Sequence, residues 1–446
     1  MFVLKFRYWN LKENANLINM KNFAKLLILA IAWLPNLPAE AYIDPATGSM
    51  LFSVVLGVLT TFAFIFHSLW FKLKLIFNKK NLSEKTLPIV IYSEGKQYWS
   101  VFHGILDEFE KRNIQVVYYT SSDDDPFFSQ NYTNIKGEYI GKGNKAFFKL
   151  AFLKADVCLM TTPHLDVLQL KRSKNVGHFA HILHSPSDST RYKLFGLDYF
   201  DSVFLNGNFQ IEQIRELEQK RGLPPKELPI VGCSYLDDLQ KRVNSLKTEK
   251  NGYNILVAPT WGESSLLNKY GTKLLDKLLE TGKNIIIRPH PQSLKVEKNV
   301  IEKLQNFYKN NEKIKWDFAP DNLETLAVSD IMISDFSGVI FDYVFLFNRP
   351  FIFINENINR EIYDFNTSDK PLFALNKIKD LGIELKEDNF DKINEIIQNV
   401  QFDGNFSQKA EELKNLIWQE QGKSAENIVD FLVKKQKEVK NAKLPL

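Results

Sequence analysis

From Leu87 onward the chain alternates short, almost continuously apolar runs with longer amphipathic segments. Apolar runs of about four to eight residues predict strands buried on both faces, as in parallel sheets covered by helices. Two series of such runs follow one another, with helical patterns at Trp99–Arg112, Ile211–Lys220, Thr272–Glu280 and Glu297–Asn310. The first comprises Pro88–Ser93, Ile114–Thr120, Ala155–Thr162 and Ser202–Gly207, and the second comprises Tyr253–Thr260, Asn284–His290, Ile314–Phe318, Asp330–Asp335 and Pro350–Asn355.

Two series of alternating strands and helices predict an α/β fold with two doubly wound domains. We place these domains at residues 85–235 and 251–400, with residues 401–446 forming terminal helices, centred on Glu411–Lys435, and a tail. The segment Ser234–Asn251 is polar and ends before a glycine, which predicts the seam between the domains. In this architecture a ligand binds outside the carboxyl ends of the strands, here the cleft between the domains.

The region before the first strand carries two apolar segments. From Met20, two lysines, the apolar stretch Leu26–Leu34 and a small-residue site resemble a secretory signal, so residues 1–49 are a signal-like leader. Met50–Phe71 lacks Asp, Glu, Lys and Arg and is long enough to span a bilayer. Lysines 72, 74, 79 and 80 follow it and favour the cytoplasmic side of the plasma membrane. The sequence thus predicts a single-pass anchor with a cytoplasmic body, and translation could begin at Met1 or Met20.

An alternative is a membrane hairpin that uses Leu26–Leu34 as its first pass, which also leaves the large C-terminal part in the cytosol.

Composition excludes nucleic-acid-binding proteins and proteins held together by disulfides or a four-cysteine zinc site. A net charge of +4 over 446 residues is no nucleic-acid footprint, and no stretch interleaves basic and aromatic residues as a single-strand binding groove does. Cys158 and Cys233 are the only cysteines, so neither a disulfide framework nor a four-cysteine zinc site can form, and a reducing compartment fits.

The segment Ile331–Ile354 contains an apolar run that stops at Ser334-Asp335-Phe336-Ser337-Gly338 and resumes at helical spacing. This pattern predicts strand, turn and helix, with hydroxyl groups of Ser334 and Ser337 beside unpaired N–H groups at the positive end of the helix. Such a site binds a phosphate. The alternative is a serine N-cap on an ordinary strand–helix unit.

Polar residues also follow other predicted strands. His184 ends the run from Val176 and is followed by Ser185-Pro186, so we predict that it lies at the cleft rim as a general base. A metal site formed by His178, His181 and His184 is the alternative. It is disfavoured because alternate side chains of an extended segment point to opposite faces.

Arg288-Pro289-His290-Pro291 closes another predicted strand, and its prolines fix the backbone. Arg288 and His290 suit the charge of a diphosphate, although Arg288 could instead pair with a carboxylate. Thr260, after its own strand, can donate to a phosphate, and Trp261 can stack on a base. Asp342 on the helix after the turn can bond a ribose or glycerol hydroxyl or make a local contact. Asp123-Asp124-Asp125 is more consistent with a solvated turn than with an ion site.

Taken together, His-Ser-Pro at His184, Pro-Thr-Trp at Pro259, Arg-Pro-His-Pro at Arg288 and the turn at Ser334 resemble the CDP-glycerol glycerophosphotransferase family, over roughly Ala155–Asn355. The resemblance implies two Rossmann-like domains of the GT-B type, with the donor in the C-terminal domain. It also implies that His184 is the base, that His290 contacts the donor diphosphate, and that Ser334, Asp335 and Ser337 match the first, second and fourth residues of the family's Ser-Asp-Tyr-Ser-Ser motif.

The chain departs from the family motifs at several positions. Ser185 stands where the Trp-His-Gly-Thr-Pro motif has glycine, Gly338 stands where the second serine of the Ser-Asp-Tyr-Ser-Ser motif would be, Leu183 replaces the Trp, and Gly262 replaces an Arg. The resemblance therefore leaves the alcohol of the donor (glycerol, ribitol or another) open.

The family implies transfer of glycerol phosphate from CDP-glycerol to a hydroxyl of a lipid-linked or polysaccharide acceptor, with release of CMP. It implies no resident cofactor and no metal ligands in this chain, and it leaves a need for Mg²⁺, primase against polymerase activity and assembly into a homo-oligomer open. Nucleic acid is not an expected partner, and the membrane is. Two other classes remain open: a GT-B glycosyltransferase or nucleotide-sugar epimerase, which shares the fold, and a non-catalytic membrane scaffold.

Overall fold

The structure of the protein is a computed structural model, which describes residues 86–319, 321–354, 360–400 and 404–443. These residues belong to one unit that spans residues 83–446. The predicted leader and Met50–Phe71 lie outside the described residues. Within the described ranges, no helix combines the length and apolarity that crossing a membrane requires.

The first domain is built on a parallel sheet with the strand order β3-β2-β1-β4-β5-β6. This is the order of a dinucleotide-binding doubly wound fold, and the sequence of β1 is almost continuously apolar because both faces are covered. The strands are β1 (Leu87–Ser93), β2 (Val116–Thr120), β3 (Ile135–Tyr139), β4 (Ala155–Met160), β5 (Val176–Ile182) and β6 (Ser202–Phe204), and the helices between them are α1 (Trp99–Lys111), α2 (Asn144–Ala151) and α3 (Phe209–Arg221).

The second domain repeats this topology, because its strand order β12-β11-β10-β7-β8-β9 places the first and fourth strands side by side at the centre. The strands are β7 (Asn254–Val257), β8 (Asn284–Ile287), β9 (Ile314–Trp316), β10 (Ile331–Ser334), β11 (Phe351–Phe353) and β12 (Ile383–Glu384). The helices that follow α3 along the chain are α4 (Ser234–Ser245), α5 (Leu266–Leu279), α6 (Ser293–Val296), α7 (Lys298–Phe307), α8 (Leu323–Val328), α9 (Val339–Phe347), α10 (Phe373–Lys379), α11 (Ile393–Val400), α12 (Phe406–Ile417) and α13 (Ser424–Ala442).

Alternate residues of the second sheet face two separate cores, which explains the continuous apolar runs. Ile331 and Ile333 pack into one buried cluster with Ile255, whereas Met332 packs into the other with Leu256. The two-domain parallel α/β architecture predicted from the sequence is therefore confirmed. The patterns missed β3 and β12, because these strands lie at sheet edges and carry few apolar residues.

The predicted polar seam is wrong in one respect, because helix α4 occupies most of it. Leu236 and Leu239 of α4 are buried in the same cluster as Leu256 and Met332 of the second sheet. Two of the buried positions of this helix, Asp237 and Asp238, are polar, so the spacing of apolar residues alone did not reveal the helix. The segment that links the two sheets is therefore largely a helix that packs into the core of the second domain.

Asp237 on α4 fastens the C-terminal helices. Its carboxylate accepts hydrogen bonds from Trp418 Nε1 at 3.0 Å, Gly422 N at 2.8 Å and Ser424 N at 3.0 Å, and from the hydroxyl of Ser424. Helix α13 then runs back across the first sheet, where its residues Ile428, Val429 and Leu432 join the core beside α1. The last helix of the chain thus completes the first domain.

We predict that Asp237→Ala destabilises the protein by about 2 to 4 kcal/mol, because several buried N–H groups lose their acceptor at once. Urea unfolding of the full-length chain measures the effect. Asp430→Ala is the matched control, because that carboxylate is 63% exposed in its pair with Arg112 and an exposed pair contributes about 1 kcal/mol or less. Equal losses in the two variants would contradict the role of Asp237.

Candidate functional site

A cavity of about 600 Å³ lies between the carboxyl edges of the two sheets. This is the size of an ordinary small-molecule site, and the carboxyl edge is where a doubly wound sheet binds ligands. Residues of both domains line it, among them Tyr98, His184, Ser185, Arg191 and Tyr192 from the first and Trp261, Arg288, His290, Ser337, Gly338 and Asp342 from the second. The cleft predicted from the sequence therefore exists, and it contains most of the predicted site residues.

Three predicted residues, two at the end of β10 and one in the loop after β7, do not line this cavity. The hydroxyl of Ser334 is buried and donates to Ala258 O at 2.6 Å. The carboxylate of Asp335 accepts from Thr260 N at 2.9 Å and from Leu266 N at 3.3 Å, and burial raises its pKa to about 6. Ser334, Asp335 and Thr260 therefore fasten β10 to the loop after β7, which corrects the prediction that Ser334 and Thr260 donate directly to a phosphate.

The other end of the turn faces the cavity. Ser337 and Gly338 line it, and helix α9 begins directly afterwards. Among the described residues, no acceptor is bonded to the backbone N–H groups of Ser337, Gly338 and Val339. The N-cap is Gly338, without a side-chain bond, so a serine N-cap, the alternative interpretation, does not occur. Free N–H groups at a helix N-terminus beside a hydroxyl form an anion site.

Gly338 and Ser185 face each other across the cleft. The backbone of Gly338 has φ −64°, a value that any residue adopts, so the backbone does not require glycine here. A Cβ atom at Gly338 would lie 3.6 Å from Ser185 Oγ. The hydroxyl that the family motif carries on the helix side is thus absent, and a hydroxyl on the opposite wall stands beside the same space.

Arg288 lies at the predicted strand end but is already paired. Its guanidinium forms an ion pair with Asp317 and donates to Ala319 O at 2.8 Å. This is the alternative that the sequence left open, and it corrects the expectation that Arg288 is free to contact a diphosphate. The pairing instead braces the loop after β9 against the cavity wall.

His290 is a neutral hydrogen-bond donor toward the cavity. Its Nδ1 accepts from Gln292 N at 3.1 Å, which places the ring proton on Nε2. Burial lowers the pKa of His290 to about 4, so the ring stays neutral near pH 7. Trp261, 40% exposed, lies beside it with ring centroids 6.4 Å apart, where its face is open to a ligand.

His184 is exposed within the cleft, at the end of β5. Its Nδ1 lies 3.2 Å from the hydroxyl of Tyr192, which also lies 3.0 Å from Nε2 of the buried His181. The cleft walls, with Arg191 as a second cause, lower the pKa of His184, so the ring is neutral as a base must be. His178 instead bonds Ser202 at 2.9 Å, away from the other two histidines.

Arg191 is a residue that the sequence analysis missed. Its guanidinium donates to Ser187 Oγ at 3.1 Å and, across the cleft, to Phe336 O in the turn after β10 at 3.0 Å. Within the described ranges no carboxylate lies within ion-pair distance of it. Burial lowers its pKa, but from an ordinary value so high that the group remains a cation. Arg191 therefore brings positive charge to the turn.

Asp342 has the local contacts that the sequence left as one alternative and also lines the cavity. Tyr235 donates to its Oδ2 at 2.7 Å, and Asn322 Nδ2 lies 3.4 Å from the same oxygen. Burial raises the pKa of Asp342 to about 7. Its Oδ1 has no hydrogen-bond partner among the described residues, so that oxygen can meet a ligand hydroxyl.

The described residues contain no group of three or more His, Cys, Asp or Glu side chains that could hold a metal ion. The acidic run at Asp123 forms a turn, as predicted. Asp125 caps the following 3₁₀ segment through Phe127 N, Asp124 pairs with Lys96, and Asp123 pairs with Lys142.

The fold and the cleft define a two-domain α/β protein that resembles GT-B-type structures. It is similar to the wall teichoic acid polymerase TagF, with 17% identity, a TM-score of 0.53 and coverage of 83% of this chain and 97% of that chain. It is also similar to UDP-GlcNAc 2-epimerase from Neisseria meningitidis, with 13% identity, a TM-score of 0.52 and coverage of 78% and 99%. At these identities the similarity shows the fold alone.

Residues 231–434 match the model of the CDP-Glycerol:Poly(glycerophosphate) glycerophosphotransferase family. The resemblance seen in the sequence and the enzyme class it implied, CDP-glycerol glycerophosphotransferase-like, are thereby confirmed. The matched range contains the second domain with the turn after β10, and it begins after His184. A comparison with curated proteins found no match.

The geometry predicts opposite effects for the two serines of the turn. Ser337→Ala should weaken binding of inorganic pyrophosphate by about five- to thirtyfold, because a hydrogen bond to a charged acceptor is lost at a cost of about 1 to 2 kcal/mol. Ser334→Ala should leave the affinity unchanged and lower the free energy of unfolding by about 1 kcal/mol, because Ala258 O loses its donor. Calorimetric titration and urea unfolding of both variants measure this. The reverse pattern would show that Ser334, and not Ser337, faces the ligand.

Proposed function

We propose that the protein is a membrane-anchored transferase that moves glycerol phosphate from CDP-glycerol to a hydroxyl of a lipid-linked or polysaccharide acceptor and releases CMP. The observation that carries the proposal is the placement of His184 on one wall of the cleft and of Ser337, the helix N-terminus and His290 on the other. One wall supplies a base, and the facing wall supplies donors for a diphosphate. The family match supports CDP-glycerol as the donor.

The reaction follows from these positions. The acceptor hydroxyl gives its proton to Nε2 of His184 as its oxygen bonds to the β-phosphorus. The bond from that phosphorus to the bridging oxygen breaks, and CMP leaves with the electron pair. Charge that develops on the phosphate oxygens is met by Ser337, the N–H groups that open α9, and Nε2–H of His290. Arg191 adds a nearby positive charge through its bond to Phe336 O.

The remaining cavity residues suit the other parts of the donor. Oδ1 of Asp342 can accept from a ribose or glycerol hydroxyl, and the exposed ring of Trp261 can stack on the base. The side chains of Ser334, Asp335 and Arg288, with the backbone N–H of Thr260, maintain the shape of this wall through their hydrogen bonds. The reaction class requires no resident cofactor, and the proposal assigns no metal ligand.

The test is CMP release by the full-length chain supplied with CDP-glycerol and lipid-linked or polysaccharide acceptors. His184→Gln should lower kcat by about 10² to 10⁴, the usual contribution of a general base. His178→Gln is the matched control, because His178 lies on the same strand but bonds Ser202 outside the cleft. Absence of CMP release from any CDP-alcohol would overturn the proposal, and conversion of UDP-GlcNAc to its epimer would support the epimerase class instead. Full function of His184→Gln in cells would indicate a scaffold.

The anchor is proposed from the sequence of Met50–Phe71 and the lysines after it, and it makes sense when the acceptor is lipid-linked. With the anchor in place, the body lies on the cytoplasmic side of the plasma membrane.

We expect the full-length chain to sediment with membranes through a sodium carbonate wash and to be released by detergent. A chain with charged residues substituted at Leu56, Leu59 and Phe62 should lose this association, because charges at the centre of a span cost about 2.5 to 3.5 kcal/mol each. Retention of that variant in the carbonate pellet would contradict the anchor.

A further inference from the structure

The hydroxyl of Tyr192 joins two histidines that the sequence pattern places three residues apart. It lies 3.0 Å from His181 Nε2 and 3.2 Å from His184 Nδ1. The Tyr192 ring is also edge-on to both imidazoles, with centroids 5.2 and 6.0 Å away. Nothing in the reaction described above uses Tyr192 or His181, although both lie directly behind the base.

His181 has a feature that packing alone does not explain. It is fully buried, and its Nδ1 has no hydrogen-bond partner among the described residues. A buried polar atom without a partner costs about 1 to 3 kcal/mol, and such atoms in native structures call for a reason. An apolar side chain would fill the same space on β5 without this cost.

The hydrogen-bond donors and acceptors of Tyr192, His181 and His184 can be matched in two ways. A phenol has one proton to donate, and burial raises the pKa of Tyr192, so it keeps that proton. Burial also keeps His181 neutral by lowering its pKa. Tyr192 therefore donates to one imidazole and accepts from the other. If it donates to His184, then Nε2 of His184 carries a proton and cannot act as a base.

We infer that Tyr192 donates to His181 Nε2 and accepts from His184 Nδ1–H, and so fixes His184 in the tautomer whose Nε2 lone pair faces the cleft. Tyr192 and His181 are then positioning residues for the base. The inference rests on the proposed role of His184. It gives the buried His181 a function, namely to supply the acceptor that draws the phenol proton away from His184.

The first test is Tyr192→Phe in the full-length chain, which keeps the ring and removes the hydroxyl. We expect kcat for CMP release to fall about tenfold or more while KM for CDP-glycerol changes less than about threefold, because an interaction that acts on the base and not on the donor is lost. Tyr199→Phe, on an exposed loop outside the cavity, controls for the substitution. Unchanged kcat in Tyr192→Phe, with His184→Gln inactive, would overturn the inference and leave the proposed function standing.

The pH profile separates positioning from a structural role. The groups that face His184 are Arg191, His181 and the phenols of Tyr98 and Tyr192. A base loses activity as the pH falls through its pKa, and an acceptor at Nδ1–H favours the imidazolium and raises that pKa. Loss of the Tyr192 hydroxyl should therefore move the acidic limb of kcat/KM to lower pH. A variant that is merely less stable would lose activity without moving this limb.

His181 supplies the matched pair of variants. His181→Leu removes the acceptor, so Tyr192 should turn its proton to His184 and kcat should fall as in Tyr192→Phe. His181→Gln can place an amide oxygen near the position of Nε2 and should recover most of that loss. The double variant His181→Leu, Tyr192→Phe should be no worse than either single variant, because the residues act as one chain. Additive losses, or equal effects of Leu and Gln, would overturn the inference.

A readout independent of turnover distinguishes this inference from the proposed function. In ¹⁵N-histidine spectra of the full-length chain, the His184 signals are identified by their loss in His184→Gln. We expect them to show a proton on Nδ1 in the parent chain and a shift toward Nε2–H in Tyr192→Phe. This result would support the positioning role even if CDP-glycerol proved not to be the donor. A proton on Nε2 in the parent chain would overturn it.

Discussion

The carboxyl edges of the two sheets are held opposite each other by buried carboxylates, which accept hydrogen bonds from N–H groups of the other domain. Asp188 accepts from Ala374 N and Leu375 N, both at 3.0 Å, at the start of α10. Gln213 Nε2 donates to the same carboxylate at 2.6 Å. Burial raises the pKa of Asp188, yet three donors satisfy it, which is the condition under which a buried charge is tolerated. Since Asp188 follows His184 on the same loop, this contact also helps to position His184.

A second set of contacts closes the other end of the cleft. Arg221 bridges Asp198 and Asp364, each at 2.6 Å, and Asp364 also accepts from Phe195 N at 2.9 Å. All of these groups are largely buried, so the pairs are not screened as surface pairs are. The loop that carries Arg191 and Tyr192 is therefore held by the second domain as well as by its own. The cavity has fixed walls because both domains share these side chains.

The sequence predicted what is local. The apolar runs marked strands of both sheets, and the polar interruption at Ser334 marked the turn that reaches the cavity, because the residues after a strand that ends at the carboxyl edge lie at that edge. It did not show which hydroxyl of the turn points outward. Ser334 continues the strand and bonds its neighbour, whereas Ser337 has already turned into the cavity, and only the turn geometry separates the two.

The sequence patterns also failed to predict contacts between segments that are distant along the chain. Arg288 beside a strand end suggested a phosphate ligand, but Asp317 on the next strand neutralises it, and no local pattern announces such a partner. Arg191 acquires its role from a carbonyl that is 145 positions away in the chain. The sequence clue was present, since Arg191 closes the polar stretch that follows His184, but a single arginine in a loop has too many ordinary explanations to be singled out.

These long-range contacts also determine the electrostatics of the cleft. His184 and His290 are both neutral near pH 7 and Arg288 is paired, so the cavity is lined mainly by N–H and hydroxyl dipoles together with the cations of Arg191 and Lys193. Fixed dipoles in a site shielded from water stabilise developing charge without having to reorganise. Tyr192 connects this arrangement to the domain closure, because its carbonyl accepts from Asp364 N at 2.8 Å while its hydroxyl contacts His184. The orientation of His184 and the assembly of the opposite wall therefore depend on the same contact between the domains.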